Sequence, residues 1–263
     1  MLDKKIPPKR ALDPRPRAII IGASSGIGAA LARRLAFSGY LVAAVARRQE
    51  QLEELCRTAS ANLPDQEAPV ILPYVHDVNE YDEIPQLFQT IVQDLGGLDL
   101  IVYAAAAQVP VEGQEYDFEK DRLMLDTNLL GAVAWLDEAA SRFSRARRGH
   151  IVGISSIAGE RGRVAGPAYG ASKAALNTYL ESLRNRLSRR GVTVTTVIPG
   201  FVDTRLLKNA SKTFWVISPE EAALQIHNAV QQRKQIIYVP KRWSFVGLIV
   251  RNIPSSIFRR LSF

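Results

Sequence analysis

A glycine-rich turn near the start of the chain constrains the fold more than any other feature. The apolar run Ala18-Ile19-Ile20-Ile21 is followed by Gly22-Ala23-Ser24-Ser25-Gly26-Ile27-Gly28, and a helix with apolar spacing follows. Glycines permit a tight turn and let phosphates approach the backbone, while the next helix presents its N–H groups and positive dipole end. Such a turn can be purely structural, but its position between strand and helix favours a site for a dinucleotide pyrophosphate.

Apolar strands and helices alternate along the rest of the chain. Helices are predicted at about 50–59, 84–95, 119–145 and 168–190, and the continuous apolar runs between them indicate a parallel sheet covered on both faces. The length of 263 residues and the 47% hydrophobic content suit one folded domain. We therefore expect an α/β fold of the doubly wound Rossmann type, with seven mostly parallel strands. The predicted strands are 18–21, 41–45, 70–75, 98–103, 150–154, 192–198 and 235–239.

Positive charge is concentrated at the two ends of the chain. Residues 1–17 carry a net +4 and residues 233–263 carry +7, so a net charge of +8 leaves −3 for the remainder. A nucleic-acid binder would carry its basic surface on the folded core, so no nucleic-acid partner is expected. We predict a basic N-terminal tail (1–16), a dinucleotide-binding domain (17–240) and a basic, apolar C-terminal extension (241–263). One cysteine, no signal sequence and no apolar run of about 18 residues favour a cytoplasmic protein.

Two pairs of residues carry candidate chemistry. Tyr169 and Lys173 are four residues apart on a predicted helix, so they share one face. An ammonium group there would bring the phenol pKa from about 10 toward neutrality, and the phenol could then exchange a proton with a substrate oxygen. A surface pair without chemistry has the same spacing. Arg47 and Arg48 end the second strand, where arginine can bind the 2′-phosphate of NADP(H); two solvated arginines are the alternative. This position favours NADP(H) over NAD(H).

These residues, in this order and spacing, resemble the classical short-chain dehydrogenase/reductase family over nearly the whole folded region. The resemblance implies that Tyr169 is the acid/base, that Lys173 holds the nicotinamide ribose, and that Ser156 binds the substrate oxygen. Asn128 would bind a water that links Lys173 to solvent. The implied cofactor contacts are Gly22, Ser24, Ser25, Gly26, Ile27, Gly28, Arg47, Arg48, Asp77, Val78, Ala104, Ala105, Tyr169, Lys173, Pro199, Gly200, Val202 and Thr204, with no metal site.

One segment departs from the family pattern. Where the family usually has Asn-Asn-Ala-Gly after the fourth strand, this chain has Tyr103-Ala104-Ala105-Ala106. The change either alters the wall of the cofactor site or is a neutral replacement by small residues. It puts the local bracing of the sheet in doubt, and leaves the chemistry intact.

The C-terminal extension mixes tryptophan, aliphatic and basic residues. It is too short to span a bilayer, so it is either an interfacial segment or a tail packed on its own core or on a partner subunit. The sequence of residues 251–261 resembles that of a membrane-associated subset of the family, which includes the decaprenylphosphoryl-2-keto-pentose reductase. The segment Ala158-Gly159-Glu160-Arg161 resembles the same subset. That resemblance implies a lipid-linked substrate and contact with a membrane surface. The extension would also obstruct the family's usual tetramer contact, which favours a homodimer.

Two functions remain open on the same fold. The first is NADPH-dependent reduction of a carbonyl, or the reverse oxidation of a secondary alcohol, on a lipophilic substrate such as a ketone, a keto-sugar lipid or a sphingoid or steroid-like compound. The second is a non-catalytic nucleotide sensor. A sensor would be expected to lack one of Ser156, Tyr169 and Lys173, and all three are present.

Overall fold

The sheet is parallel throughout and contains the predicted strands. The computed structural model describes residues 15–61, 70–112, 115–209 and 213–261, so most of the predicted N-terminal tail lies outside the described residues. Within these ranges the strands are β1 (Arg17–Ile21), β2 (Leu41–Ala46), β3 (Ile71–Val75), β4 (Leu100–Tyr103), β5 (Gly149–Ile154), β6 (Val192–Pro199) and β7 (Ile236–Val239). Their order is β3-β2-β1-β4-β5-β6-β7. Because the order reverses between β1 and β4, a crevice opens at the carboxyl ends of these strands.

Helices cover both faces of the sheet. They are α1 (Gly26–Phe37), α2 (Gln49–Ala61), α3 (Ile84–Leu95), α4 (Phe118–Leu125), α5 (Gly131–Ala146), α6 (Pro167–Leu187), α7 (Pro219–Gln231), α8 (Trp243–Asn252) and α9 (Ser255–Phe258). Side chains alternate across β1: Ile20 packs into a core with α1, α2 and α7, while Ile19 and Ile21 pack with α3, α5 and α6. The predicted doubly wound fold is therefore confirmed.

The helix predicted over 119–145 is interrupted. A π-helical turn, Asp126–Leu130, separates α4 from α5. The Tyr103 hydroxyl donates a hydrogen bond to the Thr127 carbonyl in this turn. A Cβ atom at Gly131 would lie 2.7 Å from that hydroxyl, so the missing side chain gives the phenol its space. A regular pattern of apolar residues cannot reveal such a turn, which brings Asn128 into the protein interior.

The C-terminal extension packs on its own domain through one face. The Trp243 side chain is buried against Gly200, where an added Cβ would lie 2.0 Å from the indole. Arg161 donates to the Val250 carbonyl (3.0 Å) and to the Ser255 hydroxyl (3.1 Å). Arg251 forms an ion pair with Glu160 (2.7 Å). The two segments that resemble the membrane-associated subset, 158–161 and 251–261, are therefore in contact. No helix in the described ranges has the length and apolar character needed to cross a membrane.

Candidate active site

The glycine turn lies in close contact with the end of β4. Gly22 has φ +88°, and a Cβ there would lie 2.4 Å from the Ala105 nitrogen. A Cβ at Gly28 would lie 2.2 Å from the Gly22 carbonyl oxygen. The N-cap residue of α1, Ser25, makes no side-chain capping bond, and the first turn contains no acidic residue. These features fit a backbone cradle for the pyrophosphate of a dinucleotide.

Three arginines converge beside this turn. Arg48 donates to the hydroxyls of Ser24 (2.8 Å) and Ser25 (2.7 Å). Its pKa is lowered by burial and by the neighbouring charges of Arg205 and Arg47. Concentrated positive charge of this kind suits a phosphate group. The sequence interpretation included Arg47 and Arg48 but missed Arg205, which follows Thr204 directly.

The other predicted adenosine contacts lie beside the arginines. Asp77 pairs with the more exposed Arg47 (3.3 Å) and accepts a hydrogen bond from the Asn79 N–H (3.0 Å). The next residue, Val78, is buried beside Gly131. Arg47 is thus paired with Asp77, whereas Arg48 is the arginine that hydrogen-bonds to the glycine turn.

Asn128 braces the segment after β4. Its Oδ1 accepts from the Ala107 N–H (2.7 Å), and its Nδ2 donates to the Ala107 carbonyl (2.9 Å) and to the Ser172 hydroxyl (3.0 Å). Ser172 in turn donates to the Tyr169 carbonyl (2.7 Å). Asn128 thus joins Ala107, directly after the Tyr103–Ala106 segment, to the helix that carries Tyr169 and Lys173. Together with the bond from Tyr103 to Thr127, it braces this end of the sheet.

Ser156, Tyr169 and Lys173 meet at the carboxyl end of β5. Ser156 caps a short 3₁₀ turn (Ile157–Glu160), where its hydroxyl accepts from the Ala158 N–H (3.1 Å), and it lies near enough to the Tyr169 phenol to act on its pKa. Lys173 is one turn further along α6; its Nζ lies 5.9 Å from the centre of the phenol ring and donates to the Ile154 carbonyl (3.1 Å). Ser155 is directed elsewhere and donates to the Lys173 carbonyl (3.2 Å).

Burial governs the protonation of this group. Burial raises the pKa of Tyr169, and the Ser156 hydrogen bond and the Arg163 charge act in the opposite direction. Burial also lowers the pKa of Lys173 to about 8. The expectation that Lys173 brings the Tyr169 pKa toward neutrality is therefore wrong for this structure, because spacing on a helix does not report the cost of burying a phenolate.

The end of β6 reaches the glycine turn. The Gly200 N–H donates to the Val239 carbonyl (2.9 Å), and Val202 forms a parallel bridge with Ile217. The Thr204 methyl would lie 3.0 Å from a Cβ added at Gly26, so Thr204 contacts the turn itself. The glycine turn, near the start of the domain, and Thr204, near its end, therefore lie in the same crevice.

An aromatic cluster covers the outside of this strand end. Trp243 stacks on Phe214, with ring centres 5.0 Å apart, and Trp215 lies edge-on to both rings. The Arg242 guanidinium lies 5.2 Å from the Trp215 ring. Sequence reasoning missed that the extension is part of the site's surroundings, because its partners are distant in the chain.

The fold and the crevice define a dinucleotide-binding α/β protein. The model of the short chain dehydrogenase family matches residues 16–214, and the chain belongs to this family. An uncharacterized oxidoreductase of Myxococcus xanthus is 37% identical over 214 residues, which are 81% of this chain and 80% of that protein. An uncharacterized oxidoreductase of Mycobacterium tuberculosis is 29% identical over 251 residues, 94% of this chain and 98% of the relative.

The solved structures include close matches to the fold. A variant of the actinorhodin polyketide ketoreductase, solved with NADPH, has a TM-score of 0.77 and 24% identity, covering 86% of this chain and 95% of its own. The family and its oxidoreductase members establish the protein as an oxidoreductase enzyme. A non-catalytic role is accordingly not favoured.

Proposed function

We propose that the protein transfers hydride between NADP(H) and a carbonyl or secondary alcohol, with Tyr169 as the acid/base. The observation that carries this proposal is that buried Tyr169 and Lys173 lie one turn apart on α6, near Ser156 and at the same sheet edge as the glycine turn. Two hydroxyl groups held together can both donate to one carbonyl oxygen. The oxyanion that develops there during reduction is stabilised by both hydroxyls.

Each residue has a separate task in this proposal. Nicotinamide, when bound, supplies or accepts the hydride. Tyr169 gives a proton to the substrate oxygen in reduction, and its raised pKa keeps it protonated for that step. Lys173 holds the nicotinamide ribose, Ser156 orients the carbonyl, and Asn128 keeps the water link to Lys173 in place. The turn at Pro199 and Gly200, with Val202 and Thr204, holds the carboxamide end.

The direct test is oxidation of NADPH in the presence of a panel of ketones, aldehydes and keto acids. The expected result is substrate-dependent loss of NADPH absorbance with at least one member. Tight NADPH binding without oxidation across a broad panel would instead support the sensor function.

Replacing Arg48 should change the cofactor preference. Arg48→Ala removes the guanidinium that joins Ser24 and Ser25, so a 2′-phosphate loses a charge-assisted hydrogen bond of about 1.5–3 kcal/mol. We expect the KM for NADPH to rise about tenfold or more, with a much smaller change for NADH. Arg57→Ala, on the exposed side of α2, is the matched control and should affect neither cofactor. Equal changes for NADPH and NADH would remove the basis for preferring NADP(H).

The C-terminal extension supports a further part of the proposal, contact with an anionic membrane and access to a lipophilic or lipid-linked substrate. Phe245, Leu248 and Ile249 share the outer face of α8 and are 65%, 60% and 46% exposed. The exposed basic residues of the extension are Lys241, Arg242, Arg251, Arg259 and Arg260. An apolar face bordered by cations is the composition of an interfacial helix. Homodimer formation also remains a prediction.

Vesicle sedimentation tests the membrane contact. The wild-type protein should sediment with vesicles containing phosphatidylglycerol more than with pure phosphatidylcholine, and Phe245→Glu with Leu248→Glu should lower this binding at least about tenfold. Leu224→Glu, at a 40% exposed leucine on α7, is the control. If the double variant binds as the wild type does, the outer face of α8 is not the contact.

A further inference from the structure

A cavity lies between the segment after β5 and the C-terminal extension, and one of its lining residues, Arg163, interacts electrostatically with Tyr169. The cavity volume is about 450 Å³. Arg163 and Val164 line one side, and Phe258, Arg259 and Leu261 line the other. The lining residues in the described ranges include arginines and apolar side chains but no acidic residue. The cavity is therefore positively charged and partly apolar.

Arg163 is the residue in this cavity that needs a partner. Its side chain is partly buried, and burial lowers its pKa while the Tyr169 phenol acts to raise it. Within the described ranges it has no hydrogen bond and no ion pair. Partly buried guanidinium groups are normally paired, because the desolvated charge is otherwise unfavourable. A protonated Tyr169 phenol carries no negative charge to pair with the Arg163 guanidinium.

The neighbouring Arg161, by contrast, has hydrogen-bond partners for its guanidinium. Arg161 donates to backbone carbonyls of the extension and to the Ser255 hydroxyl, and its guanidinium lies 4.3 Å from the centre of the Phe258 ring. It holds the extension in place and has little capacity for a ligand. Two residues later, Arg163 has no partner for its donors among the residues that the structure describes.

We propose that Arg163 binds an acidic group of the substrate, a carboxylate or a phosphate, and thereby selects anionic carbonyl compounds. The inference rests on the proposed function, since it concerns the substrate of the same site. Arginine presents paired donors that match both of these groups. Val164, Phe258 and Leu261 offer an apolar surface beside the charge. The substrate that fits is therefore an amphipathic acid whose carbonyl is reduced at Tyr169.

Matched substrate pairs test the selection. In the wild type, kcat/KM for a medium-chain keto acid should exceed that for its methyl ester about tenfold to a hundredfold. Arg163→Gln should abolish this preference through a raised KM for the acid, and Arg163→Lys should restore part of it. Arg189→Gln, at an exposed position beyond α6, is the control. If acid and ester are equal in the wild type, or if Arg163→Gln slows both alike, Arg163 acts only on Tyr169 and the proposal is overturned.

A binding measurement separates this proposal from the reaction itself. Hexyl phosphate or hexanoate should raise the Tm of the wild type and of Arg189→Gln but not of Arg163→Gln, and hexanol should raise none of them. Comparison of the two anions distinguishes phosphate from carboxylate. Should no carbonyl be reduced, the proposed function fails while this measurement still decides the anion site; no Tm increase with either anion overturns it.

Discussion

Tyr169→Phe is expected to lower kcat for carbonyl reduction by about 10²- to 10⁴-fold, the usual contribution of a positioned acid. The ring is buried, with 8% of its surface exposed, and phenylalanine keeps its volume. The variant loses the proton donor and the hydroxyl that faces Ser156. We expect NADPH affinity to change by less than about threefold and stability by about 1 kcal/mol. Steady-state rates and a fluorescence titration with NADPH measure the two effects separately.

The same helix provides the control. Tyr179→Phe removes a hydroxyl that bonds to the Asp137 carboxylate (2.7 Å), so it also costs a hydrogen bond on α6. Because Tyr179 lies away from Ser156, its variant should keep wild-type turnover. If Tyr169→Phe retains turnover within tenfold of the wild type, Tyr169 is not the acid.

The fold was predictable because its main signals are local. Each buried strand is a short apolar run bounded by turns, and the alternation with helices leaves a doubly wound sheet as the consistent arrangement. The limits of the strands agree to within about two residues. The π turn Asp126–Leu130 was not predictable from its own segment, because it contacts the hydroxyl of Tyr103, a distant residue on β4.

The site was predictable where it follows local order along the chain, and not where it depends on contacts across the fold. Ser156 lies near Tyr169, and Thr204 contacts the glycine turn; the family resemblance had assigned these residues to one site. Arg163 was missed because its relation to Tyr169 depends on how the loop after β5 folds back. The Tyr169 pKa was misjudged for a related reason: spacing shows which charge is near, whereas burial is a property of the whole domain.

Gly22→Ala is expected to lower the free energy of unfolding through two causes, overpacking and backbone strain, which can be measured separately. In Gly22→Ala, the new Cβ would lie 2.4 Å from the Ala105 nitrogen and 2.7 Å from the Ala104 carbonyl carbon. These are backbone atoms of a central strand end, so they cannot move aside as a side chain does. Overpacking should cost about 1–3 kcal/mol, in addition to about 1–2 kcal/mol for a left-handed conformation. Displacing the turn should also abolish NADPH binding, since the backbone that would hold the pyrophosphate moves.

Gly39→Ala isolates the conformational part, because Gly39 has nearly the same φ (+86° against +88°) and no heavy atom within 4 Å of an added Cβ. It should lose only the about 1–2 kcal/mol of left-handed strain and bind NADPH normally. Urea unfolding and NADPH titration of both variants give the comparison. If the two alanine variants lose equal stability and both bind NADPH, the close approach of Gly22 to Ala105 has no role in the site. A larger loss of unfolding free energy in Gly22→Ala, together with loss of NADPH binding, would show that Gly22 is required for the cofactor cradle and not merely for the turn.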